Sequence, residues 1–313
     1  MTIVVQRYQR NESGAWNDFV RPSKNGTFLF DRDYMEYHSN RFVDHSLMLR
    51  SADGRILALL PATEDNNELH SHAGLTYGGL ILGNDTGSVA AIEMIEAIRT
   101  YLSTHDLTVL HYKTIPSIYH QQPAEEDRYA LFRAGAKLTR RDVLSVVPRE
   151  DRLKYQERRA RGIRSANKSG AVVIESRDFE PFWRVLEENL RERFGVSPVH
   201  SLEEIIQLHS RFPESIRLFE ARFEEQVAAG CVVFETARVA HVQYISASHF
   251  GKKINALDAV FDHLLRSVYA DKPFFDFGIS NEEAGRVLNK GLVEQKEGFG
   301  ARTIVHDYYA LTA

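Results

Sequence analysis

Three groups of residues in this chain carry chemistry worth testing. The first is His249-Phe250-Gly251-Lys252-Lys253-Ile254-Asn255-Ala256. Asn255 reads as the N-cap of a helix whose apolar face is Leu257, Val260, Phe261, Leu264 and Val268. Free N–H groups and the dipole at such a terminus, at Asn255 and Ala256, favour an anion, and Lys252 and Lys253 add charge beside it. A solvated lysine loop is the alternative. The second group is Arg152, Lys154, Arg158, Arg159, Arg161, Arg164 and Lys168, opposed only by Asp151 and Glu157. Positions 154, 158, 161, 164 and 168 follow helical spacing, so one helix face is strongly positive. Guanidinium forks match phosphate oxygens, so a nucleotide-linked sugar, a lipid-linked precursor or tRNA suits Arg158, Arg161 and Arg164; a solvated face without ligand is the other reading. The third group is His241 and Tyr244 on one strand with Asp276 at the end of another, able to act as base or to orient a substrate. Asp276 could instead hold a turn through an Asx bond before Gly278, and His241 could be packed.

Other chemistries find little support. Cys231 is the single cysteine and lies in the apolar run Ala228-Ala229-Gly230-Cys231-Val232-Val233-Phe234, which reads as a buried strand and an inert thiol. His70-x-His72 puts two imidazoles on one side of a strand, but no third ligand lies at metal spacing, so no metal is expected. Kinase loops, Gly-x-Ser-x-Gly elbows and dinucleotide fingerprints are missing from the sequence. A formal charge of −4 over 313 residues gives no global pull on polyanions, so such a site must be local. With 43% apolar and 26% charged residues the composition is that of a compact globular protein. The start of the chain, Met1 to Arg7, reads as a strand, and no 18-residue apolar run could span a bilayer; a cytoplasmic location is the default expectation.

The elements that position these groups form an order written twice. In the first half come a strand at Thr2–Tyr8, helical pattern near Trp16, Phe19 and 31–37, and strands at 45–50 and 55–60 around an Asp-Gly turn. A strand at 75–82, a helix at 88–104, a strand at 107–112, a helix at 125–134 and a strand at 142–147 follow. The second half repeats it: strand 171–176, helices 182–193 and 202–209, strands 216–221, 227–235 and 239–247, helix 256–269, strand 274–277, helix 282–289 and strand 303–311. The expectation is two α/β domains, 1–150 and 151–313, each a mixed, mostly antiparallel sheet flanked by helices.

That order is similar to a tandem GNAT protein of the Fem-like branch. The resemblance is carried by Ile163-Arg164-Ser165-Ala166-Asn167-Lys168-Ser169-Gly170, by Tyr244-Ile245-Ser246-Ala247-Ser248 leading to Asn255-Ala256, by Phe275-Asp276-Phe277-Gly278, and by Lys296-Glu297-Gly298-Phe299-Gly300-Ala301. Ser23-Lys24-Asn25-Gly26-Thr27-Phe28-Leu29 and Leu75-Thr76-Tyr77-Gly78-Gly79 resemble segments of GNAT-like proteins associated with surface polysaccharide genes; Lys24 and Tyr77 are candidate substrate contacts there, Tyr77 either reaching the inter-domain cleft with its hydroxyl or standing as a rim tyrosine without function.

The resemblance implies a donor site in the second domain, where a splayed strand serves the pantetheine arm and a helix N-terminus the pyrophosphate of acetyl-CoA or another acyl-CoA. It also implies a role for Lys296 beside the transferred carbonyl or a phosphate. Only Gly251 stands where the family's phosphate loop carries two glycines, which leaves aminoacyl-tRNA, the donor of Fem-type enzymes, as the alternative. The expected function is N-acyl transfer to an amine of a sugar or amino-acid-bearing envelope precursor. The alternatives are an aminoacyl-tRNA-dependent, peptidoglycan-type ligase and a non-catalytic binding protein. The acidic lead-in Asn84-Asp85-Thr86-Gly87-Ser88 would repel a pyrophosphate, so the first domain is expected to shape the acceptor side.

Overall fold

The computed structural model describes residues 2–313 as two compact units. One is Met1–Asp142 with Asn281–Val287 and Val305–Ala313; the other is Val143–Ser280 with Leu288–Ile304. The first unit therefore ends inside strand Lys137–Pro148, ahead of position 150, and takes back two later segments. Among the described residues no helix is long and apolar enough to cross a membrane.

In the first unit, strands Ile3–Arg7, Leu47–Ser51, Ile56–Leu60 and Ile81–Leu82 form an antiparallel sheet in that order. Helix Ser88–Thr104 buries Ala91, Met94, Ile95, Ile98 and Leu102, which join Leu47, Leu49, Ala58 and Leu60 in one core. The expected strand over 75–82 contracts to Ile81–Leu82, because Gly79 takes φ 89 and breaks the extended run. A hairpin that the hydrophobic pattern does not announce, Thr63–Asp65 with Glu68–His70, turns through Asn66 and Asn67, both at positive φ. Asparagine tolerates that backbone, and the strands are too short and polar to alternate visibly. Glu68–His70 runs parallel to Val109–Lys113, which pairs on its other edge with Tyr308–Thr312.

In the second unit the strand order is Val172–Ser176, Ile216–Phe223, Gln226–Glu235, Val239–Ala247 and Phe274–Ile279, followed by the 144–148 part of strand Lys137–Pro148. All neighbours are antiparallel except Val239–Ala247 with Phe274–Ile279. Helices Glu157–Ser169 and Ala256–His263 pack on one face, where Ile163, Ala166, Val260 and Phe261 are buried and Cys231, Ala240, Val242, Phe277 and Phe299 complete the core. Helix Glu180–Phe194 covers the opposite face, with Trp183 edge-on to Tyr244 at 5.1 Å. Cys231 is wholly buried, and burial pushes its thiol far up, as befits a core residue.

Two helices fall differently from the periodicity. The expected helix 256–269 is His249–Ile254, a break at Asn255, then Ala256–His263 and a π-helical turn Leu264–Val268. The expected helix 282–289 lies further on, at Lys290–Glu297: Ala284 and Gly285 adopt left-handed backbone, and Asn289 accepts the Leu292 N–H at 3.1 Å as the true cap.

Candidate functional site

Strands Val239–Ala247 and Phe274–Ile279 pair over only three positions, Val239 with Phe274, Ala240 with Phe275 and His241 with Asp276. Past His241 the first of them runs on to Ala247, paired to Gln226–Glu235 on its other edge alone. A bulge lies just beyond the point of divergence, since Val232 faces Tyr244 while Val233 faces Val242, leaving Gln243 out of register. The Gln243 Oε1 is buried without a hydrogen-bond partner among the described residues. Bulges re-aim side chains and end pairing, and here one sits where two parallel strands part.

A cavity of about 580 Å³ lies around the far end of that strand, lined by Ile245, Ser246 and Ala247, by Asn189 and Arg193 of helix Glu180–Phe194, by Gly251, Lys252 and Asn255, and by Gln295. Arg159 and Asp258 form one wall, joined Nη1 to Oδ1 at 2.6 Å with the Asp258 side chain 4% exposed. Burial pushes the Asp258 carboxyl up, opposed by the Arg159 charge. Among the described residues Arg159 Nε and Asp258 Oδ2 are buried without partners, so this wall keeps unused donor and acceptor capacity. The pair meets because residue 162 is glycine: a Cβ there would lie 1.9 Å from Asp258 Oδ2.

The anion-binding terminus expected at Asn255 and Ala256 is differently built. Asn255 takes φ 61 and caps with no side-chain bond; the capping residue is Ser248, whose hydroxyl accepts the Gly251 N–H at 3.1 Å. Lys252 and Lys253 consequently occupy the last turn of His249–Ile254 instead of flanking a helix start. Lys252 faces the cavity and donates to Asn189 Oδ1, while Lys253 is exposed and lines none of it. Gly251 serves packing, since a Cβ there would lie 1.8 Å from the Ala228 carbonyl oxygen. Ala256 is fully buried in the core.

The basic face appears on helix Glu157–Ser169, with Arg158, Arg161, Arg164 and Lys168 exposed. Arg158 bonds Gln156 Oε1 at 3.0 Å and Arg164 pairs with Glu157 at 2.6 Å. The helix begins at Glu157, after Lys154, so the side turned to the protein carries Arg159, Gly162, Ile163 and Ala166. Arg159 is the cation that the spacing argument passed over.

Asp276 is 0% exposed; its Oδ1 accepts the Gly278 N–H at 2.7 Å and its Oδ2 takes His241 Nδ1 at 2.8 Å. One carboxylate thus forms the Asx turn and bridges the last paired positions of the diverging strands. With Nδ1 so held, His241 Nε2 makes no bond within the described protein and the side chain is 11% exposed. Tyr244 points elsewhere: its hydroxyl contacts His200 Nδ1 and accepts the His200 N–H at 3.2 Å. That arrangement makes Tyr244 a core partner of His200 and Trp183, where the sequence reading has it as a base or a substrate-orienting group.

Lys296, 5% exposed in helix Lys290–Glu297, donates to the carbonyls of Gly278 at 3.1 Å and Ile279 at 2.6 Å and to Ser280 Oγ at 2.9 Å. All three donors brace the end of strand Phe274–Ile279. Burial pushes the ammonium down to about 8, against the opposing pull of Asp276. A base whose folded value lies below its unfolded one adds stability above the unfolded value, and this is lost as pH falls through the folded one. Wild type should therefore gain on a Lys296→Met variant as pH rises from about 8 to about 10.5, by up to roughly 3 kcal/mol in urea unfolding. Identical slopes for the two proteins would refute this.

Two expected substrate contacts lie inside the first unit. Lys24 is 4% exposed and donates to Glu126 Oε1 at 2.6 Å and to the Thr86 carbonyl at 2.8 Å. Tyr77, 1% exposed, donates to Thr27 Oγ1 at 3.0 Å and packs on Tyr119 and Phe30. Neither presents its polar atom at a surface; both hold the segment 23–30 in place, as does Asn25, which bridges the Leu80 carbonyl and the Leu82 N–H at 2.9 Å each.

Residues 153–284 match the acetyltransferase (GNAT) domain family. No curated protein matches the sequence. Among solved structures the chain is similar to FemX at 10% identity and TM-score 0.67, over 99% of this chain and 97% of that one. It is similar to L-PGS from Bacillus licheniformis at 12% and 0.60, over 98% and 92%. It is also similar to a tandem GNAT protein from the clavulanic acid biosynthesis pathway, solved without AcCoA, at 13% and 0.53, over 99% and 98%. At such identities the likeness is one of fold, and the chain has the tandem GNAT-like fold of Fem-type proteins.

Proposed function

We propose that the second unit is an N-acyltransferase that moves an acyl group from acyl-CoA to an amine, in the making of a sugar or amino-acid-bearing envelope precursor. The observation that carries this reading is the divergence of two parallel strands immediately after His241 and Asp276, with a cation-lined cavity at the far end of the longer strand. From His241 to Ser246 an extended strand covers roughly 16 Å. A pantetheine arm laid along that free edge would put its thioester at His241 and its phosphates by Lys252, Arg193 and Arg159.

In this reading the amine nitrogen attacks the thioester carbonyl carbon; the C–N bond forms, the C–S bond breaks, and the thiolate leaves to take up a proton. His241 Nε2 removes the proton of the attacking amine, while Asp276 fixes the tautomer by accepting from Nδ1. Free backbone N–H groups beyond the bulge are suited to the oxyanion. Lys296 acts through the strand end it braces and Tyr244 through packing.

The exposed cations Arg158, Arg161, Arg164 and Lys168 support a second reading, in which the donor is aminoacyl-tRNA and this face takes its phosphates. Thiol release from acetyl-CoA, followed with a panel of amino sugars and amino acids, tests the choice. Release that depends on an amine is expected. Its absence with every acceptor, together with transfer from aminoacyl-tRNA, would replace the first reading by the second.

A further inference from the structure

We propose that the first unit holds a divalent transition metal of the zinc class on Glu68, His70 and His111, apart from the acyl-transfer reading and on the other unit. Sequence spacing sets His70 beside His72, with no third ligand. The fold supplies different partners. Strand Glu68–His70 lies parallel to Val109–Lys113 with His70 directly opposite His111. Glu68 is two residues before His70 and therefore on its face of the strand, while Leu69 between them is fully buried in the core.

One ligand atom from each of the three residues lies within 4.8 Å of the other two. His111 Nε2 already meets Glu68 Oε2 at 2.9 Å, and the His70 and His111 rings are stacked with centroids 4.7 Å apart and planes 16° from parallel. Tetrahedral zinc with bonds near 2.1 Å needs donor atoms about 3.4 Å apart, a change that small side-chain rotations supply. Two imidazoles and one carboxylate are a borderline donor set that selects zinc-class ions over magnesium or calcium.

The surroundings suit such an ion. Asp65 faces Glu68 across the hairpin and adds negative charge, while the nearby Arg140 is neutralised by Asp142. Lys113 turns its ammonium to the Leu75 carbonyl at 2.5 Å and the His72 carbonyl at 3.4 Å. Three protein ligands leave one tetrahedral position open, and both histidines line a cavity of about 320 Å³ together with Lys113, Tyr308 and Tyr309.

The test is titration of the untagged, chelator-treated full chain with Zn²⁺ by calorimetry, and with Co²⁺ followed by its visible d–d absorption. One equivalent is expected, with tetrahedral cobalt bands. His70→Ala and His111→Ala should each weaken it on the order of a hundredfold, since each removes one of three coordinate bonds. His249→Ala should leave it unchanged; that residue belongs to a second, exposed group with Glu188 and Glu192. The His70 and His111 side chains are half-buried at the surface of the sheet, and circular dichroism of the variants verifies the fold. No stoichiometric binding by wild type, or binding that survives His111→Ala and falls with His249→Ala, would overturn the proposal.

Discussion

His241→Ala should lower the rate of amine-dependent thiol release from acetyl-CoA by roughly 10²- to 10⁴-fold, the range in which a positioned general base contributes, while leaving acetyl-CoA affinity close to that of wild type. The split follows from placement. His241 stands where the strands part, and the cavity with Lys252, Arg159 and Arg193 lies at the other end of the same strand. A binding residue would shift affinity, and a packing residue would shift stability. An unchanged turnover in a folded variant would remove His241 from the chemistry.

Asp276→Ala should have the largest effect on stability of any single change in this region, about 3–5 kcal/mol, because it deletes two charge-assisted hydrogen bonds at a wholly buried position. It also frees both strands at their last paired residues. Asp276→Asn separates the two jobs of the carboxylate. Its amide oxygen can still accept from Gly278, which keeps the Asx turn, but its amide nitrogen can only donate to Nδ1 and so forces the other imidazole tautomer. The Asn variant should therefore retain most of the stability and lose most of the rate. Equal rates for Asn and Asp would make the residue purely structural, and urea unfolding beside turnover measurements decides it.

Much of this architecture could be read from the chain because its signals are local. The apolar stripe of Ser88–Thr104, the apolar run of Gln226–Glu235 and the turn at Asp53-Gly54 depend on neighbours in sequence. What the sequence does not announce depends on distance. The burial of Lys24 and Tyr77, candidate substrate contacts by sequence, rests on Glu126 and Thr27, which are far along the chain. Ser248 and Asn255 are equally good caps by residue type; the serine caps His249–Ile254, whose Gly251 meets Ala228 of a distant strand, while Asn255 takes φ 61 and makes no side-chain cap bond. Arg159 was hidden for a related reason: helical spacing counted from Lys154 selects the solvent face, whereas the helix starts at Glu157 and turns Arg159 to Asp258. The parting of the strands that carry His241 and Asp276 is what the family resemblance implies, whereas the register at which they part, after three paired positions, is not stated by sequence alone.

The most direct test of a donor site along the parted strands is calorimetric titration of the protein with acetyl-CoA, beside Lys252→Ala and Lys253→Ala. Saturable micromolar binding is predicted, weakened about tenfold when Lys252 is replaced and unchanged when Lys253 is, because only Lys252 faces the cavity. No binding by wild type, or equal weakening by the two substitutions, would contradict a donor site there.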